Sequence, residues 1–166
     1  MSHLKEVPGD LFSELDKGDY DIVIHDCNCP NQMGAGIAKT IAERFPIAKT
    51  ADNKAMAKGE NKPGNISVGL TRRNGRNLFI VNAYTQQSCG RDPNIKYASL
   101  KTLQKSLAVV REKLGSTIQE NGQQKARRVL MPKIGCGYGN MTWDEVEPVI
   151  QLELGAALDV TICDRH

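Results

Sequence analysis

Two periodicities alternate along this chain. Asp21-Ile22-Val23-Ile24-His25 is a short β-branched run, the pattern of a buried strand. After a glycine-rich turn, Ile37, Ile41 and Phe45 recur at every fourth position, which predicts a helix over 35–45 with Pro46 as its stop signal. Residues 47–63 are polar and predict a short second helix followed by a loop. Ile66–Leu70 alternates like a half-exposed strand, Asn74-Gly75 is a hairpin turn, and Leu78–Val81 is the returning strand. Residues 84–94 predict a polar loop. Leu100, Leu103, Leu107, Val110 and Leu114 step by three and four, which predicts one long amphipathic helix from about Ile95 to Glu120. Val129–Met131 is a short buried strand. Thr142-Trp143-Asp144-Glu145 has the form of a capping box and opens a last helix, and Leu158–Cys163 closes the chain as a strand.

Strands alternating with helices predict an α/β fold with three layers, α/β/α. The Asn74-Gly75 hairpin makes the central sheet mixed. At 166 residues, with no repeat or linker, the chain is expected to form a single domain, 1–166. In such sheets ligands sit beyond the carboxyl ends of the strands.

Composition then narrows the function classes. Hydrophobic residues make up 40% and charged residues 25%, a globular balance, and no apolar run reaches the ~20 residues of a membrane span. The start, MSHLKEVPGD, lacks the apolar core of a secretory signal. Cys27, Cys29, Cys89, Cys136 and Cys163 are odd in number and form no CxxC pair, against both a disulfide scaffold and a zinc ribbon. A cytoplasmic location is expected. Twenty-two basic against 19 acidic side chains leave +3, without the basic, aromatic-studded stripe of a nucleic-acid binder. A mildly positive surface suits an anionic small molecule.

Candidate chemistry lies in two glycine loops that each follow a strand. The first runs through Gly34, Gly36 and Ile37, and the second through Gly135, Cys136, Gly137 and Tyr138. Glycines let a backbone approach a ligand and turn successive N–H groups toward one point, and a following helix N-terminus adds about half a positive charge. Two such loops in equivalent places suggest a diphosphate gripped from both sides. The spacing Gly34-x-Gly36-x-x-Lys39 lacks the third glycine of a dinucleotide-binding fingerprint, and Asp52 lies in a polar tract rather than at a strand end. A plain Rossmann oxidoreductase is therefore not expected.

These residues, with Gly9-Asp10-Leu11, His25-Asp26-Cys27-Asn28, Val81–Thr85 and Met131–Gly137, resemble the macro domain family, which binds ADP-ribose. Within it the pattern is similar to the phage and fungal branch that removes phosphate from ADP-ribose 1''-phosphate, where a histidine begins the HxCN motif as His25 does here. The resemblance implies a macro domain with a mixed sheet and a phosphatase activity on that ester. Asp10 and Leu11 would meet the adenine, Asn28 the distal ribose, and Gly34, Gly36 and Ile37 the ribose and its phosphate. Gly135, Cys136, Gly137 and Tyr138 would hold the diphosphate. His25 and Asn28 would be the catalytic pair, His25 as proton carrier or phosphate contact.

No metal and no cofactor are expected. The expected partners are ADP-ribose, its 1''-phosphate or an ADP-ribosylated protein, with no nucleic acid and no membrane, and the chain is expected to be a monomer. The alternatives are a non-catalytic reader of ADP-ribose and an ADP-ribosyl-protein hydrolase, a branch whose lysine after the 79–82 strand is missing here. On residue type alone, His25 also reads as a satisfied interior histidine and Asp10 as a helix cap. Cys136 reads as a residue that has to be small, Arg91-Asp92 as a solvated pair and Trp143 as part of the core.

Overall fold

The computed structural model describes residues 4–27, 33, 36–86, 92–95, 98–136 and 140–165. Its elements in chain order are β1 (Leu4–Asp10), α1 (Leu11–Lys17), β2 (Ile22–Asp26), α2 (Gly36–Arg44) and α3 (Pro46–Ala57). There follow β3 (Ile66–Arg73), β4 (Arg76–Ala83), α4 (Leu100–Leu114), β5 (Ile118–Glu120), β6 (Gln123–Lys125), β7 (Arg128–Pro132), α5 (Trp143–Leu154) and β8 (Asp159–Arg165).

Six strands make the central sheet in the order β1-β8-β7-β2-β4-β3. All neighbours pair in parallel except β3 with β4. That antiparallel pair turns at Asn74 and Gly75, both left-handed with φ of 54° and 75°, as a tight two-residue hairpin requires. The sheet is thus mixed for the reason the sequence suggests.

Period-two alternation sorts side chains between two cores. Ile22, Ile24, Val129, Met131, Val160 and Ile162 face α4 and α5, while Val23, Ile80, Leu130 and Cys163 face α1, α2 and α3. The result is three layers, helices on both faces of one sheet. Covered on both sides, the central strands are nearly continuous apolar runs, which is why they are easy to read in the sequence.

Three boundaries differ from the sequence expectation. Helix α4 is shorter at both ends: Ser99 Oγ accepts from the Thr102 amide at 3.1 Å and caps it, and Gly115 ends it. Residues 118–125 form a small hairpin, β5 with β6, around Asn121-Gly122, whose φ values of 52° and 78° match the first Asn-Gly turn. Pro46 does more than stop α2. It is the first residue of α3, where its missing N–H costs nothing, so only Phe45 separates the two helices. Strand β1 and helix α1 had no clear pattern. β1 is an edge strand with a register irregularity between Val7 and Asp10, so its apolar positions do not alternate cleanly.

Candidate functional site

The parallel strands all end on one side of the molecule, at Asp10, Asp26, Ala83, Pro132 and Arg165. Asp10 leads directly into α1. Its Oδ1 accepts from the amides of Phe12 (3.0 Å) and Ser13 (3.2 Å), and its Oδ2 accepts from Ser13 Oγ (2.7 Å). It is therefore a helix cap, as its residue type allows. It also borders a cavity of about 330 Å³ between the start of α1 and the start of α2, lined by Asp10, Leu11, Phe12, Gly36, Ile37 and Thr40. That volume is within the usual range for a small-ligand site. Three residues expected at one ligand from distant parts of the sequence, Asp10, Gly36 and Ile37, meet here with Leu11.

Gly36 opens α2 with φ of 60°, and among the described residues no atom lies within 4 Å of a β-carbon built there. Gly135, with φ of 78°, starts the second loop just past β7. Its N–H donates to Asp26 Oδ2 at 3.2 Å and its carbonyl accepts from the Met141 amide at 2.9 Å. Asn140, also left-handed at φ of 62°, donates through Nδ2 to the carbonyls of Asp92 (2.9 Å) and Ile95 (2.6 Å). The second loop is thus tied to the end of β2 on one side and to residues 92–95 on the other. Asp26 and Asn140 were not legible as site residues, although Asp26 adjoins His25. Asn28, Gly34, Gly137, Tyr138 and Arg91 lie outside the described residues.

His25 is fully buried, on the face of β2 that packs toward α2 and α3. Its Nε2 lies 2.6 Å from Asn82 Oδ1. Burial holds its pKa below the ordinary 6.5, against smaller raising effects of Asn82, Asp26 and Asp52. At neutral pH the ring is therefore uncharged. A neutral ring of this kind orients a neighbouring group and takes up or passes on a proton.

Behind it lies a polar chain that single residues did not signal. Asn82 Nδ2 donates to the Ala48 carbonyl and to Ser67 Oγ, both at 2.9 Å. Ser67 Oγ meets Tyr84 Oη at 2.7 Å, and Tyr84 Oη donates to Asp52 Oδ1 at 2.6 Å. Asp52, placed by sequence in a polar tract, is fully buried in α3.

Cys136 is half-buried. Burial and then Asp26 push its thiol up to about 11, so it stays protonated and is no nucleophile at neutral pH. Cys27 is raised by burial in the same way. Trp143 packs on the α4–α5 core with Lys133 Nζ 5.4 Å from its ring centre, and Asp92 closes a local turn by accepting from the Asn94 amide at 2.9 Å. Among the described residues, no group of His, Cys, Asp and Glu gathers as a metal site would, and no helix is long and apolar enough to cross a membrane.

A three-layer mixed sheet with its cavity at the strands' carboxyl ends and two glycine turns beside it defines a class of nucleotide-type binding domains. Within that class the family is settled: the macro domain family model matches residues 24–150, and the chain belongs to the macro domain family. An ADP-ribose 1''-phosphate phosphatase of Meyerozyma guilliermondii is 28% identical over 165 residues, spanning 91% of this chain and 94% of that protein. The human ADP-ribose glycohydrolase OARD1 is 29% identical over 163 residues, spanning 97% and 90%. The solved macrodomain of Mycobacterium tuberculosis DarG superposes with a TM-score of 0.70 at 23% identity, covering 98% of both chains.

Proposed function

We propose that this chain binds ADP-ribose and hydrolyses ADP-ribose 1''-phosphate to ADP-ribose and inorganic phosphate. The observation that carries the reading is the meeting of Asp10, Leu11, Gly36 and Ile37 around one cavity at the carboxyl end of a macro domain sheet. A fungal relative along nearly the whole chain is named for that activity. In this reading Asp10 accepts from the adenine amino group beside the Leu11 backbone. Asn28, Gly34, Gly36 and Ile37 hold the distal ribose and its phosphate, and Gly135, Cys136, Gly137 and Tyr138 hold the diphosphate.

The chemistry is that of a phosphate monoester. A water oxygen bonds to phosphorus as the bond from phosphorus to the ribose 1'' oxygen breaks. The electron pair leaves on that oxygen, which takes up a proton, while the water gives one up. With Cys136 a protonated thiol, the described residues offer this step no thiolate, and it proceeds by positioning and by charge stabilisation from backbone amides. Neutral His25 and Asn28 orient the water.

The test is release of inorganic phosphate from ADP-ribose 1''-phosphate by the purified chain, with EDTA present. Phosphate release well above the buffer rate supports the reading. Release of ADP-ribose from an ADP-ribosylated protein without phosphate turnover would replace it by the glycohydrolase activity that the human relative's name carries. Binding with neither turnover would make the chain a reader.

A further inference from the structure

We propose that the outer edge of β3 is a docking groove for an extended, acidic peptide of a partner protein, which joins the sheet there as a further strand. The inference stands apart from the ADP-ribose reading. The groove lies at the opposite edge of the sheet from Asp10, with β8, β7, β2 and β4 between, and it shares no lining residue with the cavity beside Asp10.

The two edges of the sheet are built differently. β1 carries Lys5, Glu6 and Pro8 and a break in register between Val7 and Asp10, the devices by which an edge strand resists pairing with another chain. β3 has none of them over Ile66–Leu70, where there is no charge and no proline, and its register with β4 is unbroken from Ile66 to Arg73. Its open side also has backbone to offer. The Asn65 carbonyl accepts from the Tyr84 amide at 3.1 Å and so faces β4. Backbone groups alternate sides from one residue to the next along a strand, so the N–H and C=O of Ile66 and Val68 face away from β4.

A groove of about 340 Å³ follows that edge, with Ile66 and Val68 in its floor. Helix α3 forms one wall through Ala51, Lys54, Ala55 and Lys58, whose spacing is that of one helical face. Lys113, in the last turn of α4, stands on the other wall. All three lysines are exposed. Among the described residues none of the three is ion-paired, and Glu60 is the one acid that lines the groove. A helix dipole favours a cation near each helix end. It does not account for two like charges four residues apart on α3, a spacing that weakens a helix, facing a third across the groove.

A strand laid along β3 pairs its backbone with Ile66 and Val68, and its alternate side chains point to the two walls. Carboxylates there meet Lys54 and Lys58 on one side or Lys113 on the other. Backbone pairing supplies affinity for any extended peptide, and the lysines select an acidic one. Nucleic acid and lipid headgroups share the negative charge but lack the peptide groups that the strand edge pairs with.

The test uses the whole chain labelled with nitrogen-15 and a peptide of about six residues alternating glutamate and valine, a usual strand length. Titration should shift the amides of Ile66 and Val68 and slow their exchange with solvent, while those of Gly36 and Gly135 stay in place. The same peptide N-methylated at every second residue keeps its charge and loses donors on one side. It should bind at least about tenfold more weakly in one phase of methylation and not in the other. A peptide alternating lysine and valine should not bind. Lys54→Gln, Lys58→Gln and Lys113→Gln combined should raise Kd about tenfold, as should salt near 1 M, where the screening length is about 3 Å. No binding of the glutamate peptide, or shifts that miss Ile66 and Val68, overturns the proposal. Equal binding in both methylation phases, or equal competition by oligodeoxythymidylate or anionic lipid vesicles, reduces the groove to a patch of positive charge and overturns it too. If the triple variant does not fold, the methylated and lysine peptides carry the test on the wild type.

Discussion

The amide of Gly135 donates to Asp26 Oδ2 across 3.2 Å, joining residues 109 positions apart and fixing the start of one glycine loop to the strand that leads into the other. Asp26→Ala removes that tie and should weaken ADP-ribose about tenfold, or about 1.4 kcal/mol. Asp26→Asn keeps an accepting oxygen and removes a negative charge from the neighbourhood of the diphosphate, so it should bind at least as tightly as the wild type. Calorimetric titration of the three proteins checks this. Equal affinities throughout would separate Asp26 from the ligand.

Asp10 has two roles that one substitution can part. Asp10→Ala loses the cap of α1, at about 1 kcal/mol of stability, together with the carboxylate. Asp10→Ser keeps a capping oxygen, so its denaturation midpoint should stay close to that of the wild type while ADP-ribose affinity falls roughly tenfold. In the wild type, IDP-ribose, which lacks the adenine amino group, should bind as poorly as ADP-ribose binds to Asp10→Ser.

Gly36 combines left-handed backbone with a β-carbon position that no atom of the described residues approaches within 4 Å. Gly36→Glu meets no atom of the described residues at its β-carbon and carries a negative charge from the head of α2 toward the expected phosphate. The variant should remain a cooperatively folding domain, weakened by about 1–2 kcal/mol of backbone strain, and lose measurable ADP-ribose binding. Normal binding by Gly36→Glu would remove the α2 N-terminus from the site.

The sign of the pH effect on stability follows from His25. Its pKa is lower in the folded protein than the ordinary 6.5, chiefly through burial. Between the folded value and 6.5 the unfolded chain binds more protons, so stability is complete above about 6.5 and falls as pH drops below it. His25→Gln should flatten that part of the profile, measured by chemical denaturation from pH 7 downward.

Cys136→Ser tests the exclusion of a thiolate. With the thiol held at about 11, the serine variant should keep phosphate release within about threefold of wild type.

What the sequence reveals and what it hides divide along physical lines. Buried parallel strands such as Ile22–Asp26 and Arg128–Pro132 are legible because both faces are covered and Ile22–Ile24 and Val129–Met131 within them are unbroken apolar runs. The first Asn-Gly turn is legible because it separates Ile66–Leu70 from Leu78–Val81, two strand-like stretches rich in apolar residues. The second, Asn121-Gly122, is not, because the strands it joins are three residues each and largely polar, so helical periodicity upstream extends over them. The site is legible wherever backbone freedom demands glycine, at Gly36 and Gly135. The environment of His25 is not, because Asn82, Ser67, Tyr84 and Asp52 come from separate elements and meet only through the register of β3 with β4 and the docking of α3.

Strand β1 pairs along β8, Leu4 with Val160 through Val7 with Cys163, and the Gly9 amide donates to Asp164 Oδ1 at 2.8 Å immediately before Asp10. During synthesis on the ribosome, the residues that border Asp10 emerge early, yet the strand that seats them emerges after every other element of the described sheet. At about 5–20 residues per second, a nascent chain spends several seconds with β2 and the first glycine loop already exported and the Asp10 corner still unanchored. The Asp10 corner is thus seated only once β8 has been made, and a premature stop before β8 would leave a product that holds most of the sheet and lacks the pairing partner of β1.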